Sequence, residues 1–341
     1  MSVDLTGLGK SIGGQRIIDG VDATLDRGEF FVVLGPSGCG KSTLLRLIAG
    51  LETLDDGEIR LDGRPVSGPG LHVPPEARKV GVVFQSYALW PHMDVLDNVA
   101  FPAEAAGLPR AEARSHAMAH IETVDLAPLA SRSPADLSGG QRQRVALARC
   151  LAGGADTVLM DEPLANLDPH LRGRMEDEIT RFHRQAGGTT IYVTHSQREA
   201  MALADRVAVM WNGRFLQVAP PREIHDQPAT EEVARFIGRS AILDGHAHDG
   251  QVSFGPFEVD ASGAAGRSGP VRLVVRPWDV RLGDGVPGVI EGVAYRGGTW
   301  EAEIGVAGLD AAVPIVSAEP LRDGDACLIE IGKAWVLPER G

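Results

Sequence analysis

Phe30-Phe31-Val32-Val33-Leu34 runs directly into Gly35-Pro36-Ser37-Gly38-Cys39-Gly40-Lys41-Ser42, and the reading of this stretch decides the fold. Five apolar residues in unbroken succession are what a strand buried on both faces requires. The residues after them fill every fixed position of G-x-x-x-x-G-K-[ST]. Lys41 to Ala49 then carries Leu44, Leu45, Leu47 and Ile48 at helical spacing. Strand, glycine-rich turn and helix together make a phosphate cradle. Its backbone N–H groups close around the anion, and the helix N-terminus adds a positive dipole end. Gly35, Pro36, Ser37, Gly38, Cys39, Gly40, Lys41, Ser42 and Thr43 are therefore expected around the phosphates of a nucleoside triphosphate. Lys41 is expected to reach the β- and γ-phosphates and Ser42 to ligate Mg2+.

Outward from this loop, short apolar runs alternate with helical stretches as far as about Phe236, the pattern of an α/β domain. Val80 to Phe84, Thr157 to Asp161, Thr189 to Thr194 and Val207 to Met210 read as buried strands like the first. Asn212-Gly213 has the composition of a two-residue hairpin turn. Residues 87–151 carry mostly helical patterning and read as a helical subdomain inserted into the α/β core. Beyond Gly238 the texture changes to short alternating runs. Trp300, Ala302, Ile304 and Val306 alternate with Glu301, Glu303 and Gly305, as in a half-buried antiparallel strand. The expected organisation is an α/β domain over 1–237 and a small all-β barrel or sandwich over 238–341.

With 341 residues the chain is long enough for two cores. Its formal charge of −13 opposes free binding to nucleic acid, which depends on Lys and Arg neutralising phosphates. No run approaches the roughly 18 apolar residues of a membrane-spanning helix. Cys39, Cys150 and Cys327 are widely spaced, which fits a reducing compartment and an intracellular chain. Inside the loop, Cys39 lies near amides that favour a thiolate, so it is expected to react with thiol reagents. His116 with His120, and His246 with His248, have metal-pair spacings without a third ligand in reach, and read as solvated histidines.

Two further stretches carry chemistry. Thr157 to Asp161 ends a buried strand in a carboxylate suited to holding Mg2+. Glu162, one residue on, is placed to deprotonate a water. Leu137-Ser138-Gly139-Gly140-Gln141 opens a helix, since Ser138 and Gln141 have the form of a capping box. Two glycines in a first helical turn are unfavourable unless another molecule's phosphate must come close.

With these motifs in this order, residues 1 to about 237 resemble the ATP-binding subunits of ABC transporters. The loop Gly35–Ser42 is similar to their Walker A loop, Val158–Glu162 to the Walker B strand, and Leu137–Gln141 to the family signature. Gln85 matches the Q-loop glutamine, Ala165-Asn166-Leu167-Asp168 the D-loop, and His195 the switch histidine. The resemblance implies an ATPase using ATP and Mg2+. Its catalytic groups are Glu162, His195, Gln85 and Lys41, and its metal ligands Ser42, Gln85 and Asp161. It also implies a head-to-tail homodimer in which Ser138, Gly139, Gly140, Gln141 and Asp168 complete the partner's site. Ile12 stands where the family places an adenine-stacking aromatic, which predicts looser base selection and better competition by GTP.

Phe84 to His92 and Gly139 to Arg149 resemble the binding-protein-dependent importers of sugars, polyamines, iron and oxyanions. Arg276-Pro277-Trp278-Asp279-Val280-Arg281-Leu282 resembles a recurring segment of their C-terminal β-barrel regulatory domain. Ser67 to Gly70 and Val73 to Glu76 lean towards ferric-iron and polyamine members. Such a subunit works at the cytoplasmic face of the membrane, on permease subunits and indirectly on a solute-binding protein, with Tyr87 to Trp90 lining the permease groove. The alternative is a soluble ABC ATPase of DNA repair or translation. Those proteins carry two nucleotide domains or long coiled-coil inserts, and this sequence has neither.

Overall fold

In the computed structural model, residues 1–339 are described apart from Asn166 and Asp168 and the side chains of Pro169, His170 and Leu171. The chain forms two compact units, Met1–Pro221 and Arg222–Gly341.

The first unit begins with β1 (Val3–Ile12) and β2 (Gln15–Leu25), followed by β3 (Phe30–Leu34) and α1 (Lys41–Ala49). Next come β4 (Asp56–Leu61), β5 (Arg64–Gly68), β6 (Leu71–His72) and β7 (Val80–Val83). The helices α2 (Val95–Ala105), α3 (Arg110–Thr123) and α4 (Gly139–Ala152) form the inserted subdomain. The core resumes with β8 (Thr157–Asp161), α5 (Pro169–Ala186), β9 (Thr189–Thr194), α6 (Gln197–Leu203), β10 (Arg206–Trp211) and β11 (Arg214–Ala219).

One sheet has the order β11-β10-β3-β9-β8-β7. Its strands β10, β3, β9, β8 and β7 are parallel, and only β11 turns back, through Asn212-Gly213. Both turn residues have positive φ, 46° and 80°, as a type I′ hairpin requires. β3 is buried along its whole length. Phe31 and Val33 join Leu44, Leu45, Leu47 and Ile48 of α1 in one core, while Phe30 packs on the other face against His183 and Tyr192. Sequence patterning did not reveal the second sheet, β2-β1-β4-β5-β6, which is antiparallel. It closes the α1 core from above with Val3, Leu5, Leu8, Ile18 and Ile59. The bulges in the β1–β2 pairing interrupt the period-2 signal that reveals such strands. The strand expected over Val80–Phe84 ends one residue earlier, at Val83.

The second unit carries α7 (Pro221–Asp226) and α8 (Glu231–Phe236) before its strands β12 (Ala241–His248), β13 (Gln251–Phe254), β14 (Phe257–Ser262) and β15 (Gly269–Val275). Then follow β16 (Val280–Tyr295), β17 (Trp300–Val306), β18 (Val313–Ser317), β19 (Ala326–Ile331) and β20 (Ala334–Val336). Strands β12-β13-β14-β20-β15 close into a barrel, with β14–β20 parallel and the other pairings antiparallel, which is the OB-like arrangement. The remaining strands form a separate four-stranded sheet, β18-β17-β16-β19, that shares the barrel's core. The unit thus begins well before residue 238, the start read from texture. The reason is Arg276. Its buried guanidinium donates to the carbonyls of Ala234, Ile237 and Arg239, and to that of His225 at 2.9 Å, fastening both short helices to the strands. Burial without a carboxylate hydrogen-bond partner pulls its pKa down to about 10.

Candidate nucleotide site

Three adjacent parallel strands deliver the site. β3 runs into the glycine loop, β8 ends in Asp161, and β9 runs into His195; Leu34 pairs with Thr194, and Asp161 with Val193. Their carboxyl ends therefore lie along one sheet edge, where a parallel sheet places its ligands. Gln85 follows β7, the next strand over, and is exposed.

The loop needs its glycines for space as well as for dihedrals. A Cβ at Gly35 would collide with the Met210 carbonyl, and one at Gly40 would lie 2.8 Å from the Ile17 carbonyl. Gly38 and Gly40 have φ of 80° and 109°, values that side chains disfavour. Lys41 is buried, and its ammonium donates to the carbonyls of Gly35 and Pro36, both at 2.9 Å. The loop thus holds its own cation at the mouth of the cradle. Thr43 follows in the first turn of α1.

Ser42 Oγ donates to Asp161 Oδ1 at 2.9 Å. Burial raises the Asp161 pKa, and the Ser42 hydrogen bond offsets part of that rise. A hydroxyl and a carboxylate side by side are hard oxygen donors of the kind Mg2+ takes. The residues present fit that ion. Glu162 sits just beyond, with φ 44°, a left-handed conformation unusual for glutamate. Its N–H donates to the Val193 carbonyl at 3.0 Å, and its Oε2 lies 3.2 Å from His195 Nδ1. The carboxylate thus faces the histidine, whose side chain is 54% exposed.

The glycine helix end lies elsewhere in the same unit. Ser138 caps α4 by the expected reciprocal bonds: the Gln141 N–H donates to Ser138 Oγ at 3.3 Å, and the Ser138 N–H to Gln141 Oε1 at 2.8 Å. A Cβ at Gly139 would meet Leu167 Cδ2 at 2.9 Å. Gly140 is buried in the first turn of α4. Asp168, expected beside the nucleotide, lies outside the described residues. Ile12 stands at the tip of the β1–β2 hairpin, half exposed.

Structure corrects the reading of Cys39. The thiol is buried, and burial raises its pKa despite the nearby Lys41 cation, so it is a poor source of thiolate. Among the described residues no group of three or more His, Cys, Asp or Glu side chains is placed to hold a metal. His116 and His120 pack edge to face, with ring centroids 4.8 Å apart.

One functional contact escaped sequence reasoning. Tyr87 and Ala88 both have positive φ, 62° and 45°. The buried Arg149 of α4 holds this turn by donating to the Ala88 carbonyl at 2.7 Å and the Tyr87 carbonyl at 2.9 Å. Its guanidinium also lies 4.9 Å from the Trp90 ring centre. A regular helical pattern around Arg149 gave no signal of that task. Beside it a cavity of about 560 Å³ opens, lined by Trp90, Phe101, Pro102, Ala105, Val82 and Arg149 among others. Trp90 lines this cavity, whereas Tyr87 is buried.

A phosphate loop, a metal-ready Ser–Asp pair, a Glu–His pair and a serine-capped helix that opens on two glycines in an inserted subdomain define a P-loop ATPase of the ABC class. Residues 18–165 match the ABC transporter family. The Fe(3+) ions import ATP-binding protein of Agrobacterium fabrum is 40% identical over 312 residues, 89% of this chain and 87% of that protein. The spermidine/putrescine import ATP-binding protein of Vibrio cholerae is 38% identical over 95% of this chain and 88% of that protein. A trehalose/maltose import ATP-binding protein from Thermococcus litoralis is 47% identical over 75% of this chain and 70% of its own length. Among solved structures, a dimeric post-hydrolysis state of an ATP-binding cassette bound to ADP and Pi superposes with a TM-score of 0.57. It is 29% identical, over 64% of this chain and 99% of the other. The chain belongs to the ABC transporter family, as one of its ATP-hydrolysing subunits, with ATP and Mg2+ as its cofactors. These relatives do not favour the soluble repair or translation ATPase.

Proposed function

We propose that this chain drives solute import at the cytoplasmic face of a membrane, as half of a head-to-tail dimer seated on permease subunits. The observation that carries it is the convergence of Ser42–Asp161 and Glu162–His195 at the ends of adjacent parallel strands. Gly35 to Thr43 bind the phosphates through backbone amides and Lys41. Ser42, Asp161 and Gln85 would hold Mg2+, which would supply positive charge to neutralise the phosphates. Glu162 accepts the proton of the attacking water. His195 fixes the Glu162 carboxylate through Nδ1 and contacts the γ-phosphate through Nε2. Ser138 to Gln141 and Asp168 of each copy complete the site of the other, and Ile12 offers the base an aliphatic face that tolerates guanine as well as adenine.

The groove beside Trp90 and Arg149 receives the permease, because it is apolar and borders the Gln85 loop. Among the described residues no helix is long and apolar enough to cross a membrane. Ferric iron or a polyamine is the proposed cargo, and the relatives include import subunits for both as well as for trehalose/maltose. The test is phosphate release from MgATP against protein concentration, with Glu162→Gln as control. A quadratic rise at low concentration is expected, with turnover lost in the variant and ATP binding kept. A strictly linear rise would sink the dimeric site. Cargo follows from purifying the chain with its membrane partners and asking which solute, ferric or polyamine, stimulates hydrolysis through the binding protein.

A further inference from the structure

His195 is flanked by Thr194 and Ser196, and one buried carboxylate fixes both flanks. Glu199 Oε2 accepts from Thr194 Oγ1 at 2.7 Å and from Tyr192 Oη at 2.9 Å. Thr194 Oγ1 in turn accepts from the Ser196 N–H at 3.0 Å, and Ser196 Oγ accepts from the Glu199 N–H at 3.3 Å, capping α6. The peptide units on either side of His195 are thus tied to one oxygen of one side chain. Glu199 is 4% exposed, so its bonds are made away from solvent and hold geometry tightly. A buried carboxylate is a costly means of tying two strand ends together, because hydroxyl and amide groups make such bonds at a lower desolvation cost.

The charge has a counterpart that leads across the unit. Arg172 Nε lies 4.0 Å from Glu199 Oε1, and Arg172 Nη2 donates to the Leu167 carbonyl at 3.2 Å. The Leu167 side chain lies beside Gly139, its Cδ2 2.9 Å from where a Cβ of that glycine would stand. A continuous set of contacts therefore runs from the capped end of α4, through Leu167, Arg172 and Glu199, to Thr194, His195 and Glu162. Every member lies in the first unit.

We propose that Glu199 is a positioning residue for His195, and that Arg172, beside Glu199 and bonded to the Leu167 carbonyl, links that positioning to the turn that packs against the glycine end of α4. The inference rests on the functional reading above, and deepens it by linking the end of α4 that faces the partner's nucleotide to the chain's own catalytic pair. Engagement of that end by phosphate then stabilises the productive orientation of His195 in the same copy.

The test is a double-mutant cycle on the intact chain, read as kcat and KM for MgATP with nucleotide Kd measured separately. Glu199→Ala is expected to lower kcat about ten-fold at nearly constant Kd. Glu199→Gln keeps an acceptor for both hydroxyls and is expected to restore most of the rate. In a His195→Ala background, Glu199→Ala is expected to cost nothing further, since the group it positions is gone. Arg172→Ala is expected to lower kcat by less, and not to add to Glu199→Ala. Where Glu199→Ala unfolds, Thr194→Val, which removes one hydroxyl at constant shape, takes its place in the same cycle. Full additivity of the position-199 or position-194 variant with His195→Ala would overturn the proposal, and so would failure of Glu199→Gln to recover activity. A His195→Ala single variant with unimpaired turnover would instead refute the role given to His195, which separates the two failures.

Discussion

Gly139→Ala separates the helix-capping function of the α4 end from its function towards a second molecule. Among the described residues the new methyl meets Tyr87 Oη at 4.0 Å and Leu167 Cδ2 at 2.9 Å, the latter being the far end of a flexible side chain. It must yield by about half an ångström to reach ordinary contact. Alanine is better than glycine in a helix interior by about 1 kcal/mol, and part of that gain applies in the first turn. The two effects oppose one another, so stability is expected to stay within about 1 kcal/mol, a Tm shift of a few degrees. The capping bonds between Ser138 and Gln141 involve no atom that changes. Nucleotide Kd is expected to hold, since the phosphate loop lies elsewhere.

Turnover is expected to behave differently on the proposed dimeric site, where a methyl at this point separates the helix-end amides from the partner's phosphate. Losing one charge-assisted hydrogen bond costs about 1.5–3 kcal/mol, or about 10- to 150-fold in rate. The measurements are steady-state phosphate release, fluorescent-nucleotide binding and thermal unfolding on one preparation. Unchanged kcat would refute the reasoning, and so would a fall in kcat matched by equal losses in affinity and Tm.

Two other outcomes follow from burial. Asp161 has its pKa raised in the folded chain, so the folded form holds its proton to higher pH than the unfolded form. That stabilising contribution is present below the ordinary carboxylate pKa and is lost as pH rises through the folded value. Asp161→Asn is therefore expected to stabilise the nucleotide-free chain at neutral pH in the presence of EDTA, with the difference shrinking on acidification; unfolding curves at both pH values decide it. Burial likewise raises the Cys39 thiol; it also raises Cys327, but that thiol is only partly buried. A thiol-reactive chromophore is expected to label Cys327 before Cys39 at pH 7.5, and peptide mapping that finds Cys39 first would contradict it.

Much of the site was legible because its chemistry depends on residues adjacent in sequence. The loop Gly35–Ser42, the Asp161–Glu162 end of β8 and the Ser138–Gln141 box each contain their own geometry within a few residues, and each forms as expected. Thiolate character at Cys39 was misread because burial, rather than nearby amides, governs that group. The Arg149 and Arg276 anchors were invisible because their partners are backbone carbonyls, up to 62 residues away for Arg149 and 51 for Arg276. A carbonyl has no residue type, so such pairing leaves no trace in composition or spacing. The unit boundary moved for the same reason, since Arg276 binds α7 and α8 to strands that follow them.

Sequence alone determined the parallel α/β core, the phosphate loop and the capped helix, because short-range periodicity and turn chemistry specify them. Tertiary structure alone decided that Ser42 meets Asp161 across 119 residues and that Glu162 meets His195. It also decided that Glu199 lies behind His195, beside Thr194 and Tyr192. Those meetings depend on the order of strands in the sheet, β3-β9-β8, which is not their order in the chain. Strand order is set by which apolar faces close around α1 and the opposite helices, a balance over the whole core that no local stretch contains.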